Sequence, residues 1–417
     1  MYVYRKLPQA AQKKPEIPSF KLPFRPCRHS QTVKISQPKF AVSGYIDAKA
    51  HSIQTQVLGG VDRLDKASQA NNGDLIVRID GHRSPRSLQF ALAGGFVAAG
   101  AAVAAGTCAL AAQSLAGAAL GAAAGVGGVL GLYVAFQAED HLRQALKAPE
   151  WKGSHPHQLG AGPLPPSQGQ PADKLKQLIQ SNLKDFPSSR QVVSLAGHGN
   201  HQQVGPLTYQ AAAKALEGNP VEQVILDTCL GGQLEVLARL APWSQFMLAS
   251  PQPIPAVGLP FDKMFAPDQL DKTPRELASS WVEQGSQITP SLAAWDSDKF
   301  RHSLLPALDQ LGSRLAQEDR SEIRRTLRKS KNPDRLPSGR VDLGSFLENL
   351  QHSQLSPETL QLAQKAQVAF QSSLVNQQND KTLTFHLKRE RNDESLPQGW
   401  RDFLKAADFS WKPGLLW

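Results

Sequence analysis

The stretch Val224-Ile225-Leu226-Asp227-Thr228-Cys229-Leu230-Gly231-Gly232 decides how this chain folds. Its apolar residues favour β-structure and lead into an acid, a cysteine and two glycines, and a helical pattern follows over residues 233–240. We predict a strand that ends at this point and a turn that carries Cys229. The thiol of Cys229 is then presented at the turn and is not packed in the core.

A second stretch of the same form lies upstream, at Gln191-Val192-Val193-Ser194-Leu195-Ala196-Gly197-His198-Gly199. It places His198 between two glycines at the end of another short apolar strand. Parallel strands of one sheet end on the same edge, where α/β proteins place their sites. We therefore predict that His198 and Cys229 meet at that edge.

The pattern of residues 172–417 predicts an α/β domain. Helical and strand patterns alternate up to residue 249, which indicates a mostly parallel sheet covered by helices on both faces. From about residue 267 onward helical patterns dominate. Strands are predicted at 192–196, 224–226, 246–249 and 382–387, and helices at 209–216, 233–240, 274–284, 298–316, 321–328, 343–350, 357–374 and 400–407.

Charge and cysteine content limit the classes of function. The 417 residues carry a formal net charge of +10, and up to Arg86 fifteen Lys and Arg stand against six Asp and Glu. The positive excess thus belongs to the N-terminal arm, and we expect no nucleic-acid partner for the nearly neutral remainder. Cys27, Cys108 and Cys229 lie in regions of different composition and offer no disulfide framework, so we interpret the chain as thiol-reduced.

The first 86 residues form a basic arm that is rich in Pro, Lys, Gln and Ser. We predict that residues 1–86 are largely disordered, with short possible strands at 32–35 and 74–79. The start of the arm lacks the apolar region of a signal peptide. Two interpretations stay open for its charge: a solvated tail, or a segment that contacts anionic lipid headgroups.

Residues 87–138 contain no charged side chain and are dominated by Ala, Gly, Leu and Val. Their number suits two membrane spans of roughly 20 residues each, so we predict a two-helix transmembrane hairpin over 88–111 and 115–136. Gly117, Gly121 and Gly125 have the four-residue spacing that lets membrane helices approach closely. The alternative is a buried Ala- and Gly-rich hairpin of a soluble protein.

The hairpin predicts a location for the protein and a lipid membrane as a partner. A hairpin returns the chain to its starting side, and the positive arm indicates that this side is the cytoplasm, so both termini are expected there. Residues 139–171 follow as a short exit helix and a Pro- and Gly-rich linker. His155 and His157 in this linker have no acids or cysteines beside them, and we assign them no metal.

A cysteine and a histidine at neighbouring strand ends can perform nucleophilic catalysis. A thiol becomes a good nucleophile when it is ionised, and a histidine within hydrogen-bond reach accepts its proton. The amides of Gly199 and Cys229 can point at one carbonyl oxygen as an oxyanion hole. The alternatives are a core cysteine and a histidine that only binds its own loop. His201 is an alternative base, although it lacks the flanking glycines.

Gly197-His198-Gly199 and Asp227-Thr228-Cys229-Leu230-Gly231 resemble the two strand ends of the clostripain family of cysteine peptidases, relatives of caspases, legumains and gingipains. The family has His-Gly after one strand and Asp-Ala-Cys-Leu, with a glycine turn, after a later one. Residues 250–262, 292–296 and 340–346 are similar to later family segments in the same order. The resemblance covers about 172–412 and implies a caspase-like fold. It also implies that Cys229 attacks a peptide carbonyl while His198 protonates the departing amine.

The resemblance also implies a role for Asp227. This residue matches the family acid at the base of the pocket for the residue before the cut (P1), which implies a preference for Arg or Lys, and a carboxylate pairs well with a guanidinium. The alternative is an acid that caps the turn. The chain departs from the family where Val257 replaces a second acid and Pro251 and Gln252 replace acids, so the pocket is expected to be less negative.

The leading prediction is a membrane-tethered cysteine endopeptidase that acts on protein or peptide substrates without a metal or another cofactor. No acidic cluster of calcium-binding type is visible in the sequence. The alternative function is that of a membrane-active or interaction protein in which the hairpin acts, and the peptidase-like domain is regulatory or inactive.

Overall fold

A computed structural model describes residues 37–48, 51–83, 156–255, 258–330, 340–379, 381–387 and 392–407. The strands are β1 (Phe40–Ala48), β2 (Leu75–Arg83), β3 (His157–Gln158), β4 (Gly162–Pro163), β5 (Arg190–Gly197), β6 (Gln203–Val204), β7 (Leu207–Thr208), β8 (Val221–Thr228), β9 (Ser244–Ala249), β10 (Ala293–Asp296), β11 (Arg340–Asp342), β12 (Leu374–Gln377) and β13 (Thr384–His386). The helices are α1 (His51–Ala70), α2 (Pro171–Asp185), α3 (Tyr209–Leu216), α4 (Leu234–Leu240), α5 (Phe261–Met264), α6 (Pro274–Gly285), α7 (Ser297–Lys299), α8 (Leu305–Leu315), α9 (Arg320–Lys329), α10 (Leu343–Gln351), α11 (Pro357–Ser373) and α12 (Gln398–Ala406), with a π-helical turn (Phe300–Leu304) between α7 and α8.

Nine strands form one sheet in the order β12-β10-β9-β8-β5-β1-β2-β3-β4. The five central strands, from β9 to β2, run parallel. The strands at both edges are antiparallel to their neighbours. The sheet thus confirms the predicted α/β architecture with a mostly parallel sheet.

Apolar residues alternate between the two faces of the central strands and so fill two cores. In β8, Val224 and Leu226 pack on one face, and Ile225 packs on the other. Helices α1, α5 and α6 cover the face of Ile225, and helices α2, α3, α4, α8 and α10 to α12 cover the opposite face. A period of two residues places Asp227 on the same face as Ile225 and α1.

The N-terminal segment corrects one prediction. Residues 40–48 and 51–83 are not part of a disordered arm, because β1 inserts between β5 and β2 near the centre of the sheet, and α1 joins the core beside them. Its apolar residues Phe40, Ala41 and Val42 are fully buried, and the buried Ser43 hydroxyl accepts a hydrogen bond of 2.8 Å from Asn182 of α2. The sheet therefore contains strands that precede residue 172. The strand predicted at 74–79 corresponds to β2, and the one predicted at 32–35 lies outside the described residues.

The linker prediction is also wrong in part. β3 and β4 form a short antiparallel pair on the outer side of β2, and Ser167 donates a hydrogen bond to the buried Asp80. These contacts attach residues 157–167 to the sheet. The exit helix predicted at 139–152 lies outside the described residues.

The predicted transmembrane hairpin at 87–138 lies outside the described residues as well. Among the residues that the structure describes, no helix combines the length and the apolar character needed to cross a membrane. The hairpin therefore stays a prediction from the sequence.

Candidate active site

The two predicted catalytic residues follow cross-strand partners at the carboxyl edge of the sheet. Gly197, the last residue of β5, pairs with Thr228, the last residue of β8. Neighbouring strands lie about 4.8 Å apart, so His198 and Cys229 leave the sheet side by side. The parallel topology thus brings together two residues that are 31 positions apart in the sequence.

The turn that carries Cys229 is fixed from two sides. The Leu230 amide donates to the Gln252 carbonyl over 3.2 Å, and the Gly232 amide donates to the Ser250 carbonyl over 2.8 Å. The Gly232 carbonyl accepts a hydrogen bond of 3.0 Å from the Thr384 amide of β13. Leu230 has a φ of 63°, a left-handed conformation that non-glycine residues rarely adopt. The chain therefore turns sharply right after the thiol.

Cys229 is partly exposed and is a free cysteine. Its Sγ donates a weak hydrogen bond of 3.8 Å to the Ile254 carbonyl. The structure gives no hydrogen bond between this sulfur and the His198 ring, both of which are described. Catalytic hydrogen bonds are often long before substrate binds and tighten in the complex with substrate. The prediction of a presented thiol thus agrees with its exposure.

His198 is exposed and begins the hairpin that contains β6 and β7. The Gly205 amide donates to the His198 carbonyl over 2.8 Å, and the Asn200 amide donates to the Gln203 carbonyl over 3.0 Å. These two bonds flank the bridge between Gly199 and Val204, so the hairpin does not use the Gly199 amide. The Gly199 amide, the predicted oxyanion-hole donor, is therefore available to donate a hydrogen bond to another acceptor.

Gly199 itself lies against the strand end that carries the cysteine. A β-carbon built on Gly199 would collide with Thr228 Oγ1 and would lie 2.8 Å from the Cys229 carbonyl oxygen. Only glycine fits at position 199, where the chain after β5 passes close to the end of β8. The two residues predicted to form the oxyanion hole, Gly199 and Cys229, are thus in contact through their backbones.

His201, the alternative base, occupies a different place. It lines a polar cavity of about 440 Å³ with Glu235 and Arg239 of α4 and with Asp393, and Cys229 is not part of that lining. Arg239 and Asp393 form an ion pair of 2.5 Å there. The position of His198 directly after the paired strand end favours it as the partner of the thiol.

Asp227 lies beneath the turn, on the face of the sheet covered by α1. Its side chain is 5% exposed and its Oδ1 accepts a hydrogen bond of 3.0 Å from the Leu259 amide. Burial raises the pKa of Asp227 to about 6, while the Leu259 amide and the positive charge of Arg63 act in the opposite direction. The Asp227 carboxyl therefore gains and loses its proton at about pH 6, close to neutral pH.

Arg63 of α1 is a neighbour of Asp227 that the sequence does not indicate. A β-carbon built on Gly258 would lie 3.0 Å from Asp227 Oδ2 and 3.4 Å from Arg63 Nη2, so both charged groups border the same point of the loop after β9. The sequence carries no local signal for this proximity, since Arg63 and Asp227 are far apart in the chain and α1 was not predicted. Val257, which replaces a second acid of the family, lies outside the described residues.

The described residues contain no group of three or more His, Cys, Asp and Glu side chains placed to hold a metal ion.

Comparisons with known proteins identify the family of this chain. A sequence model of the Clostripain family matches residues 171–393, which include both strand ends of the site. No curated protein sequence gives a significant match to the chain.

Two crystal structures share the fold. One is an inactive zymogen C11 protease from Parabacteroides distasonis, which is 13% identical, with 89% of this chain and 99% of that chain covered and a TM-score of 0.53. The other is a secreted C11 cysteine protease from Bacteroides thetaiotaomicron in complex with an irreversible peptide inhibitor, which is 11% identical with the same coverage and a TM-score of 0.51. At these identities the likeness shows the fold alone.

Proposed function

Because this chain belongs to the clostripain family and is a cysteine peptidase, we propose that it is an endopeptidase with Cys229 as the nucleophile and His198 as the acid–base partner. The observation that carries the proposal is the pairing of Gly197 with Thr228, which places His198 and Cys229 at adjacent strand ends. The free, partly exposed thiol of Cys229 supports the assignment.

The chemical steps use few groups. His198 accepts the thiol proton, and the Cys229 sulfur attacks the peptide carbonyl carbon to form a tetrahedral intermediate. The carbon–nitrogen bond then breaks as His198 returns the proton to the departing amine, which leaves a thioester on Cys229. Water attacks the thioester with His198 as general base, and the carboxylic acid product leaves with the thiol restored.

The negative charge on the intermediate requires donors at the strand ends. We assign this role to the amides of Gly199 and Cys229. The hairpin bonds leave the Gly199 amide unused, and the bonds that fix the cysteine turn start from Leu230 and Gly232 and not from the Cys229 amide. Backbone donors held by a sheet and a hairpin need no reorganisation during the reaction, which is the physical basis of such stabilisation.

We propose that Asp227 lies at the base of the pocket for the P1 side chain, and that the enzyme prefers Arg or Lys at P1. Asp227 lies near the end of β8, two residues before Cys229, and its Oδ2 accepts no hydrogen bond from the described residues. A buried carboxylate with one open oxygen suits a cationic side chain, because a charge-assisted hydrogen bond is roughly twice as strong as a neutral one.

We further propose that residues 87–138 tether the enzyme to a membrane, with both termini on the cytoplasmic side. The support is the absence of charge over this segment and the basic arm before it. Full-length protein expressed in cells is expected to stay in the membrane pellet after alkaline carbonate washing, and a variant without residues 87–138 is expected in the supernatant. Release of the full chain by the wash would show that the segment is not an anchor.

The catalytic proposal is tested with full-length protein and fluorogenic peptides that carry Arg, Lys, Leu or Asp at P1. We expect turnover of the Arg and Lys peptides, and its loss in Cys229→Ala and in His198→Ala. His201→Ala is the matched control, because it removes a nearby histidine outside the strand pair. Equal loss in His201→Ala and none in His198→Ala would overturn the assignment of the base, and turnover by folded Cys229→Ala would overturn the nucleophile.

A further inference from the structure

The environment of Asp227 contains a positive charge from the protein itself. The Arg63 side chain extends from α1 to Gly258, which lies in the loop after β9. Asp227 Oδ2 lies next to the same glycine. The Nε and Nη2 atoms of Arg63 are buried and have no hydrogen-bond partner among the described residues. Buried guanidinium nitrogens without a hydrogen-bond partner are unfavourable, so this arrangement needs an explanation.

The positive charge of Arg63 interacts electrostatically with the Asp227 carboxylate. The two side chains nevertheless form no ion pair, since no nitrogen–oxygen distance between these described residues falls within 4.0 Å. Oδ1 is occupied by the Leu259 amide. Asp227 Oδ2 and the Arg63 nitrogens therefore lie near the same glycine without a hydrogen bond between them.

The buried side of Asp227 has no space for a further group. A cavity there, bounded by Gly44, Ile46 and Leu64, has a volume of about 10 Å³. This is the space of one water molecule at most. Gly258 and Arg63 Nη2 lie beside Oδ2, so a guanidinium or ammonium group of a substrate that reaches this oxygen comes close to the Arg63 charge.

We propose that Arg63 is a specificity-determining residue, whose guanidinium competes with a basic P1 side chain for Asp227. The proposal rests on the assignment of Asp227 to the P1 pocket. With Arg63 in place, an incoming Arg or Lys meets a like charge and shares a single open oxygen, so selection of a basic residue is weakened. Without the Arg63 charge, Asp227 binds the substrate cation alone.

The test separates the charge of Arg63 from its shape. Arg63→Gln removes the charge and keeps a long polar side chain, whereas Arg63→Lys keeps the charge. Lys66→Gln is the matched control, because it removes one positive charge from the same helix at a side chain that is 63% exposed. The substrates carry Arg or its neutral analogue citrulline at P1, so that only the charge of the substrate differs.

We expect Arg63→Gln to raise the Arg-to-citrulline ratio of kcat/KM by about tenfold or more, the size of a strong like-charge effect across an interface. The change should arise mainly in KM. It should be absent in Arg63→Lys, in Lys66→Gln and in the double variant Arg63→Gln/Asp227→Asn. An unchanged or lower ratio in folded Arg63→Gln would overturn the proposal, as would an equal rise in the double variant.

A binding measurement keeps this inference distinct from the proposed catalysis. Cys229→Ala and Cys229→Ala/Arg63→Gln are titrated in a calorimeter with a peptide that ends in arginine and with its citrulline counterpart. Tighter binding of the arginine peptide alone in the second variant supports the role of Arg63, even if no variant hydrolyses any peptide, which would refute the catalytic proposal only. Equal binding by both variants would overturn the role of Arg63.

Discussion

Gly199 approaches Cys229 so closely that a β-carbon on Gly199 would lie 2.8 Å from the Cys229 carbonyl oxygen. The same β-carbon would overlap Thr228 Oγ1. Gly199→Ala is therefore expected to push the hairpin away from β8 and to displace the Gly199 amide from the developing oxyanion. A displacement of about 1 Å can cost roughly 10²-fold in rate.

For Gly199→Ala we expect kcat to fall by about this factor with little change in KM, as measured by steady-state kinetics with the best P1 peptide. Alkylation of Cys229 by iodoacetamide serves as the control, because the thiol should stay accessible if only the oxyanion donor has moved. Wild-type kcat in Gly199→Ala would contradict the role of this amide.

The raised pKa of Asp227 predicts that the preference for a charged P1 residue depends on pH. Burial raises the pKa of this carboxyl from 3.8 to about 6, so the carboxylate forms as pH rises through that value. The Arg-to-citrulline ratio of kcat/KM should therefore increase with pH around pH 6 and level off above it. Taking the ratio cancels any effect of pH on the catalytic step, since both substrates need the same catalytic groups.

Asp227→Asn should remove this pH dependence, because the amide does not titrate. The measurement is the ratio for both proteins at about five pH values between about pH 5 and about pH 8. A ratio that stays constant in the wild type, or the same rise in Asp227→Asn, would show that another group controls the choice of P1 residue.

Both strand ends of the site were predictable from the sequence because their strands are buried. β5 and β8 contribute apolar residues to both cores, so each appears in the sequence as a short apolar run bounded by glycine and polar residues. A run of this kind indicates a strand and its end. It does not indicate the neighbour in the sheet, and the order of the strands came only from the structure.

β1 and α1 were missed because their sequences are mixed. β1 contains the buried polar residues Ser43 and Asp47 between its apolar ones, and α1 has neither an acid in its first turn nor a base in its last. Such residues are typical of disordered arms when they stand beside basic and proline-rich sequence. Tertiary pairing with β5 and β2 stabilises β1, and this long-range contact has no local signal.

Two glycines of this missed segment allow a paired test of its structure. Gly60 lies within α1 and Gly73 lies in the turn that follows, and a β-carbon on either would have no atom within 4 Å. Gly73 has a φ of 95°, whereas Gly60 is helical. The two positions thus differ in backbone conformation and not in available space.

We expect Gly60→Ala to raise the free energy of unfolding by about 0.5–1 kcal/mol, since alanine loses less entropy in a helix. We expect Gly73→Ala to lower it by about 1 kcal/mol or more, because an L side chain is strained at positive φ. Urea unfolding of both variants measures the difference. Equal effects would contradict the helix and the turn described here.

An ion pair at the amino ends of the central strands allows a test that affects stability and not catalysis. Arg190, the first residue of β5, binds both carboxylate oxygens of Glu222 in β8, with its Nε 2.7 Å from Oε2 and its Nη2 2.5 Å from Oε1. Its Nη1 donates to the Lys272 carbonyl over 2.6 Å, and the guanidinium lies over the Phe40 ring at 4.4 Å. The pair joins the amino ends of three strands, far along the sheet from Cys229.

Glu222→Gln should lower the free energy of unfolding by about 2 kcal/mol, because it leaves a largely enclosed guanidinium without its bidentate partner. Asp62→Asn is the control, since it breaks the pair with the exposed Lys66 on α1 and should cost less than about 0.5 kcal/mol. Both variants should keep the wild-type kcat and KM at a temperature where they are folded. A loss of kcat in Glu222→Gln without a loss of stability would mean that the amino edge of the sheet affects the catalytic turn.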